Sequence, residues 1–455
     1  MKTMSETIEA LAQGATNALQ LVRAALRKNE ETEHVFTSLL ETPALSAAQA
    51  SLARWRQGRP LSVVDGIPLA VKDLVDVAGS RTTAGSITRD ELAPATRDAP
   101  VVARLRAAGM VLLGKTNLSE FAYSGLGLNP HYGTPTADFK QVETRAPGGS
   151  SSGSAIAVQR GIVCVAIGTD TAGSIRVPAA FNGLVGFKGS SGRYDMTGIH
   201  PLAMTFDSLG CFAHSVQDCM TLDRLMRGAP ESDDDPVDLN GVLFVVETRI
   251  IQDPELQPAV RANFHAVVDR LERAGAQLQY RELAAVSRTR EIIKRLGWLG
   301  AIEAWRLLGS IVESPQGALL DRRVRKRLLA SKALPASTES ELRRVREELM
   351  HDIREELDGA VLLMPTVKHV APPLAALEAD DELFATTNLQ TLAYTMIGSF
   401  LDMPGVAIPS GSDPQGLPTS ILISAPQGQD DEVLRVGLAV EKLTGTQSTK
   451  PFSSL

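Results

Sequence analysis

Serine, glycine and one lysine dominate the residues able to do chemistry. The segment APGGSSSGSA (146–155) sets Ser150, Ser151, Ser152 and Ser154 among Gly148, Gly149 and Gly153. Downstream, GTDTAGSIR (168–176) places Ser174 directly behind Ala172 and Gly173, after an apolar run. Residues this small let several backbone N–H groups converge on one point, the arrangement a developing oxyanion requires. Each loop alone reads equally as a flexible turn; two of them, each joined to an apolar run, argue for a site. A serine that attacks a carbonyl needs a base. No histidine stands near either loop in sequence. Lys72 follows the apolar run IPLAV, where burial would disfavour the ammonium and lower its pKa. The competing reading of Lys72 is a surface lysine at a strand end.

Other chemistries find little support. The seven histidines include no HExxH pair, and Cys164, Cys211 and Cys219 lack CxxC spacing, so neither a metal nor another cofactor is expected. No GK[ST] follows a glycine-rich loop, and GLGLNP (125–130) lacks the third glycine of a dinucleotide fingerprint. GSSSG (149–153) satisfies G-x-S-x-G with Ser151 as nucleophile. That elbow needs a strand directly before it, and QVETRAPG (141–148) is polar and ends in Pro-Gly.

The elements that must position these residues follow from hydrophobic patterning. Thr7 to Lys28 has the period of an amphipathic helix, and a second helix is expected from Ala44 to Gly58. Val101–Ala108 reads as helix, Met110–Gly114 as a buried strand, SAIAVQRG (154–161) as helix and Ile162–Gly168 as a second buried strand. GAPESDDDPVD (228–238) is the most linker-like stretch. Beyond it come a strand at 241–247, a long helix around 254–274, a charge-rich helical region over 288–358 and a strand at 360–367. Strands alternating with helices predict α/β layers, and without repeats or low-complexity tracts one large α/β domain is the simplest reading.

Composition narrows the partners. The 455 residues carry a net charge of −7, which argues against a nucleic-acid backbone as the main partner. Three cysteines without a pairing pattern fit a reducing cytoplasm. Residues 1–30 do not read as a signal peptide, and no run reaches the roughly 20 apolar residues of a membrane span. A soluble cytoplasmic monomer or homodimer is expected. Eleven of the 37 glycines and seven serines crowd residues 148–198.

Together, GIPLAVKD (66–73), PGGSSSGSAIAV (147–158), GTDTAGSIRVPAAFNGLVGFKG (168–189) and GRYDMTGIHPLAMTFDSLGCFAHSVQD (192–218) resemble the amidase signature family. Weaker similarity runs from GKTNLSEFAYSG (114–125) to PTSILISAP (418–426), so the likeness covers most of the chain from about residue 60. It implies one domain with a mixed, mostly parallel, twisted central sheet covered by helices on both faces. N-terminal helices at about 5–58, a signature core at about 60–220 and a helical, pocket-shaping segment at about 285–358 would make up that domain. It further implies a Ser-cisSer-Lys triad whose roles fall on Ser174 as nucleophile, Ser150 as proton relay and Lys72 as general base, with a cis Gly149–Ser150 peptide. The N–H groups of Thr171, Ala172, Gly173 and Ser174 would form the oxyanion hole. Asp170 and Arg176 also match family positions, and loop support is the plainer role for them.

By position, Phe121, Ala122, Tyr123, Gly125 and Leu126 would border the reacting groups, with Trp298 and Trp305 either in a lid or simply packed. An apolar surround would suit small uncharged aryl or alkyl amides, with carbamates and esters open to the same acyl-enzyme chemistry. Three departures from the family pattern bear on substrate, one of them Gly189–Ser190–Ser191 in place of a Lys-Pro-Thr-like continuation. Ser152 replaces a usual glycine, and PTSILIS replaces a Pro-Val-Gly-Leu-Gln pattern, which weakens the alternative of a glutaminase subunit of a tRNA-dependent amidotransferase. A non-enzymatic binding protein is the third reading, disfavoured by the complete triad.

Overall fold

Among the described residues eleven strands, most of them short apolar runs, pair into one sheet. They are β1 (Phe36–Leu39), β2 (Pro68–Lys72), β3 (Val111–Thr116), β4 (Val165–Asp170), β5 (Val185–Lys188), β6 (Ser208–Ala213), β7 (Leu243–Glu247), β8 (Gln277–Arg281), β9 (Val361–Pro365), β10 (Gly405–Ser412) and β11 (Pro418–Ser424). The structure, a computed structural model, describes residues 3–139, 143–230 and 236–445. Spatial order across the sheet is β1-β3-β2-β4-β6-β5-β10-β11-β9-β7-β8.

Successive side chains of a strand point to opposite faces. Leu69, Val71, Val165, Ile167, Phe244 and Val246 enter one core, and Ala70, Ala166 and Val245 enter the core on the other face. Helices cover both cores, which is why these strands read as continuous apolar runs rather than alternating ones. The α/β class and the mixed sheet are as expected, but the expected predominance of parallel strands is not. Six of the ten pairings are antiparallel and four are parallel. A short connection forces antiparallel pairing, as in the tight turn that joins β10 to β11, closed by Asp413 N–H to Leu417 O at 2.8 Å.

The parallel group β3-β2-β4 positions the site. The crossover from β2 to β3 carries the helix Pro100–Ala107, and that from β3 to β4 carries the helix Ser152–Gln159. All three strands therefore end at one edge, with Lys72, Thr116 and Asp170 as their last residues. Crevices beyond such carboxyl ends are where open α/β sheets bind ligands.

The expected helix Thr7–Lys28 is two helices, Met4–Ala12 and Ala18–Glu30. Gly14 turns left-handed at φ 70° between them, and Asn17 caps the second by accepting Gln20 N–H at 3.0 Å. The next helix runs over Glu41–Arg56, and β1, which precedes it, was not foreseen. Of the linker-like stretch 228–238, residues 231–235 lie outside the described residues. The charge-rich region forms the helices Ala284–Leu296, Leu299–Glu313, Arg322–Lys332 and Ala336–Leu357, inserted between β8 and β9. Ala304, Leu308, Val312, Val324 and Leu328 of this segment pack on Phe121, Ala122, Tyr123 and Leu202.

Candidate active site

Val71 of β2 lies opposite Ile167 of β4, so Lys72 and Thr169 come at the adjoining ends of the two strands. Lys72 Nζ donates to Thr169 Oγ1 at 2.9 Å and to Ser150 Oγ at 2.7 Å. The lysine is fully buried, and burial pushes its pKa down to about 7 against the opposing charges of Asp170 and Asp207.

Ser150 sits in a loop pinned through its backbone. Gly149 N–H donates to Gly125 O at 2.8 Å, while Ser150 O accepts from Ser119 N–H at 3.1 Å and Ser152 N–H at 2.9 Å. The Gly149–Ser150 peptide is cis. The next serines fasten the following helix to β4: Ser151 Oγ donates to Thr169 O at 3.2 Å and Ser154 Oγ to Ile167 O at 2.9 Å. No strand leads into Ser151 among the described residues, so the geometry of a nucleophile elbow is absent there.

Ser174 comes to the same place from the other loop, its carbonyl accepting Ser151 N–H at 3.3 Å. The turn before it is organised by Asp170, the last residue of β4. One carboxylate oxygen accepts Gly173 N–H at 2.7 Å; the other accepts Ile175 N–H at 3.0 Å and Arg176 N–H at 3.3 Å. Arg176 closes a buried ion pair with Asp170 at 2.9 Å and also donates to Thr395 O and Ser399 Oγ. Burial would raise the Asp170 carboxyl, but Arg176, Lys188 and the Ile175 N–H reverse this and hold it at about 2.

This geometry corrects one expectation. Gly173 N–H is committed to Asp170 and is not free to meet an oxyanion. Among the described residues, the N–H groups of Thr171, Ala172 and Ser174 have no acceptor within the protein. Gly173 keeps its place for another reason: at φ 142° its backbone favours glycine, and a Cβ there would stand 2.3 Å from Thr395 Oγ1. That hydroxyl is itself bound to Ala172 O at 2.7 Å.

The five expected pocket residues divide into two groups. Phe121 and Ala122, both at positive φ, and Tyr123 are buried under the helical segment. Gly125 is tied to the Ser150 loop, and Leu126 shares an apolar cluster with Val177, Phe181, Leu392 and Met396, against which Ala172 and Trp298 pack. Trp298 stacks on Phe206 with ring centroids 4.5 Å apart, and Trp305 packs in the cluster under Phe121.

Two residues of the site were missed. Thr169 lies inside a segment singled out for its serine, but its place beside Lys72 depends on the pairing of β2 with β4, which no local pattern signals. Asp207 accepts Thr171 Oγ1 at 2.6 Å, Leu202 N–H at 2.8 Å and Ala203 N–H at 3.0 Å. Burial pushes its pKa up to about 6, resisted by these donors and by Lys72. No spacing rule links it to residues so far upstream. Among the described residues no three His, Cys, Asp or Glu side chains are grouped to hold a metal, and no helix is long and apolar enough to cross a membrane.

Fold and site together define an α/β enzyme that sets a buried lysine against a serine- and glycine-rich loop at the ends of parallel strands. The chain belongs to the amidase family, whose model matches residues 20–434. It is 33% identical over 409 residues to the 2-amino-5-chloromuconic acid deaminase of Comamonas testosteroni, covering 88% of this chain and 87% of that protein. It is 30% identical to one subunit of the glutamyl-tRNA(Gln) amidotransferase of Methylococcus capsulatus, over 99% of this chain and 98% of that one. A solved amidase crystal structure superposes with a TM-score of 0.85 at 30% identity, covering 97% of this chain and 99% of that chain. The protein is an amide-hydrolysing enzyme.

Proposed function

We propose that the enzyme cleaves small amides through an acyl-enzyme on Ser174, with Ser150 relaying the proton and Lys72 as general base. The observation that carries this reading is the 2.7 Å contact between Lys72 Nζ and Ser150 Oγ in a site that lowers the lysine to about 7. Neutral Lys72 takes the proton of Ser150 as Ser150 takes that of Ser174, and Ser174 Oγ bonds to the carbonyl carbon. The carbonyl oxygen gains the negative charge and meets the N–H groups of Thr171, Ala172 and Ser174. Return of the proton by the same route to the departing nitrogen breaks the C–N bond. Water, deprotonated along that route, then releases the acid and frees Ser174.

The apolar cluster of Leu126, Leu392 and Met396, with Trp298 and Ala172 against it, supports an uncharged aryl or alkyl substrate. In this reading the helices of 284–357 shape the pocket. Anilides, carbamates and esters fall within the same chemistry. A second reading, a glutaminase-type subunit, is supported by the 30% identity to the Methylococcus amidotransferase component over 99% of this chain. It predicts glutamine turnover and a stable partner.

The test is a hydrolysis screen of anilides, primary amides, ureas, carbamates, esters and glutamine with the wild type, Ser174→Ala and Lys72→Ala, together with fluorophosphonate trapping. Turnover lost in both variants and label on Ser174 is the expected result. Undiminished hydrolysis in either variant, or label on Ser151, overturns the mechanism.

A further inference from the structure

The turn that presents the three free N–H groups is tethered in separate pieces. Asp170 holds its C-terminal part through Gly173, Ile175 and Arg176. Thr395 holds its middle through Ala172 O. Thr171, at its N-terminal end, is held by neither; its hydroxyl donates to Asp207 at 2.6 Å.

We propose that Asp207 is a positioning residue for hydrolysis, fastening Thr171 to the loop 202–207 and thereby aiming the Thr171 N–H at the reacting carbonyl oxygen. One carboxylate makes the joint. One oxygen takes the Thr171 hydroxyl, and the other takes Leu202 N–H at 2.8 Å and Ala203 N–H at 3.0 Å. With both oxygens occupied by donors from two chain segments, the turn and the loop move as one body. An amide here could keep the joint, its oxygen taking the two N–H groups and its own N–H donating to the Thr171 hydroxyl, so alanine is the substitution that removes it.

The loop is in turn anchored to the helical segment. Thr205 N–H donates to Glu303 at 3.0 Å, and Arg343 reaches both Thr205 Oγ1, at 2.9 Å, and Glu303. Phe206, the neighbour of Asp207, is stacked under Trp298. The helices Leu299–Glu313 and Ala336–Leu357 thus bear on the oxyanion turn through Asp207 while supplying no N–H to it. Misplacing a reacting group by about 1 Å can cost on the order of 100-fold in rate, so a tether at this point acts on kcat.

The inference rests on Ser174 as nucleophile, and its test separates the two. Thr171→Val removes the hydroxyl and keeps the N–H; Thr171→Ser keeps both. With 4-nitrophenyl butyrate as probe, Thr171→Val is expected to lower kcat about 10- to 100-fold with KM within about twofold, and Thr171→Ser to recover most of the rate. Asp207→Ala is expected to show a similar loss, and the double variant Thr171→Val/Asp207→Ala no further loss, since both delete one joint. Fluorophosphonate should still label Ser174 in each variant, more slowly. Wild-type kcat in Thr171→Val, a loss confined to KM, or additive losses in the double variant would overturn the role of Asp207. Activity persisting in Ser174→Ala would instead overturn the nucleophile on which the inference stands.

Discussion

Thr169 Oγ1 accepts a hydrogen bond from Lys72 Nζ at 2.9 Å, across the seam between parallel strands β2 and β4. A neutral amine has two hydrogens and one lone pair. With one hydrogen on Thr169, the neutral amine can turn its lone pair to Ser150, whose hydroxyl then donates where the ammonium donated to it. Thr169→Val is therefore expected to lower kcat roughly 10-fold, and Thr169→Ser to retain activity, because the support of a catalytic group decides its aim. Steady-state rates of the two variants check this, and equal rates would remove Thr169 from the mechanism.

With Lys72 as the proposed general base, its lowered pKa should set the pH dependence. Burial brings Lys72 to about 7, so the neutral, proton-accepting form grows as pH rises through that value. On the acid side kcat/KM should climb about tenfold per pH unit and level off above 7. An acid limb centred near an ordinary lysine, above pH 10, would contradict the assignment.

The same burial costs stability. Between about 7 and 10.5 the unfolded chain binds more protons at Lys72 than the folded one, so stability rises with pH through that window. Holding the lysine at pH 7 costs roughly 4 kcal/mol by this linkage. Lys72→Met is expected to be inactive yet to melt a few degrees higher at pH 7, offset in part by its lost hydrogen bonds. The gap should narrow towards pH 10. Melting curves at the two pH values decide it, and a variant less stable at pH 7 would refute it.

Arg176 and Asp170 answer in the opposite direction. The depressed carboxyl of Asp170 contributes stability that is present above pH 3.8 and lost as pH falls through about 2. Arg176→Met strands a buried carboxylate, which should cost roughly 3 to 5 kcal/mol at pH 7 and move acid unfolding to higher pH. Urea unfolding at neutral and acid pH measures both effects.

Gly173→Ala forces a side chain onto a backbone at φ 142° and against Thr395 Oγ1. The turn must shift and carry its N–H groups with it. A fall in kcat of about 100-fold, comparable with the loss of an oxyanion donor, is expected while the fold is retained by circular dichroism. Wild-type turnover would show that the turn tolerates the change.

Lys72, Ser150 and Ser174 could be singled out in the sequence because each lies in a short segment of unusual composition. Their neighbours were less legible. Asp207 reaches Thr171 across 36 residues, and Thr169 meets Lys72 across 97. Such contacts depend on strand order and register, which local patterning does not encode. The commitment of Gly173 N–H was hidden because the carboxylate that takes it lies three residues back, inside the same turn. The helix–strand alternation before β4 read clearly, since each parallel pairing there needs a helical crossover. The antiparallel strands beyond it lack that signature, and the break between the first two helices rested on a single glycine, Gly14.

The position of β10 governs how the sheet is completed during synthesis. β10 pairs with β5 on one side and β11 on the other, joining a half-sheet built before residue 214 to one built after residue 242. Until residues 405–412 leave the ribosome, the β5 edge has no partner, although Lys72, Ser150 and Ser174 have long been made. An open edge of this kind invites pairing with another chain. Nascent chains truncated before β10 should therefore be the aggregation-prone species, and chaperone dependence should concentrate in that interval of translation.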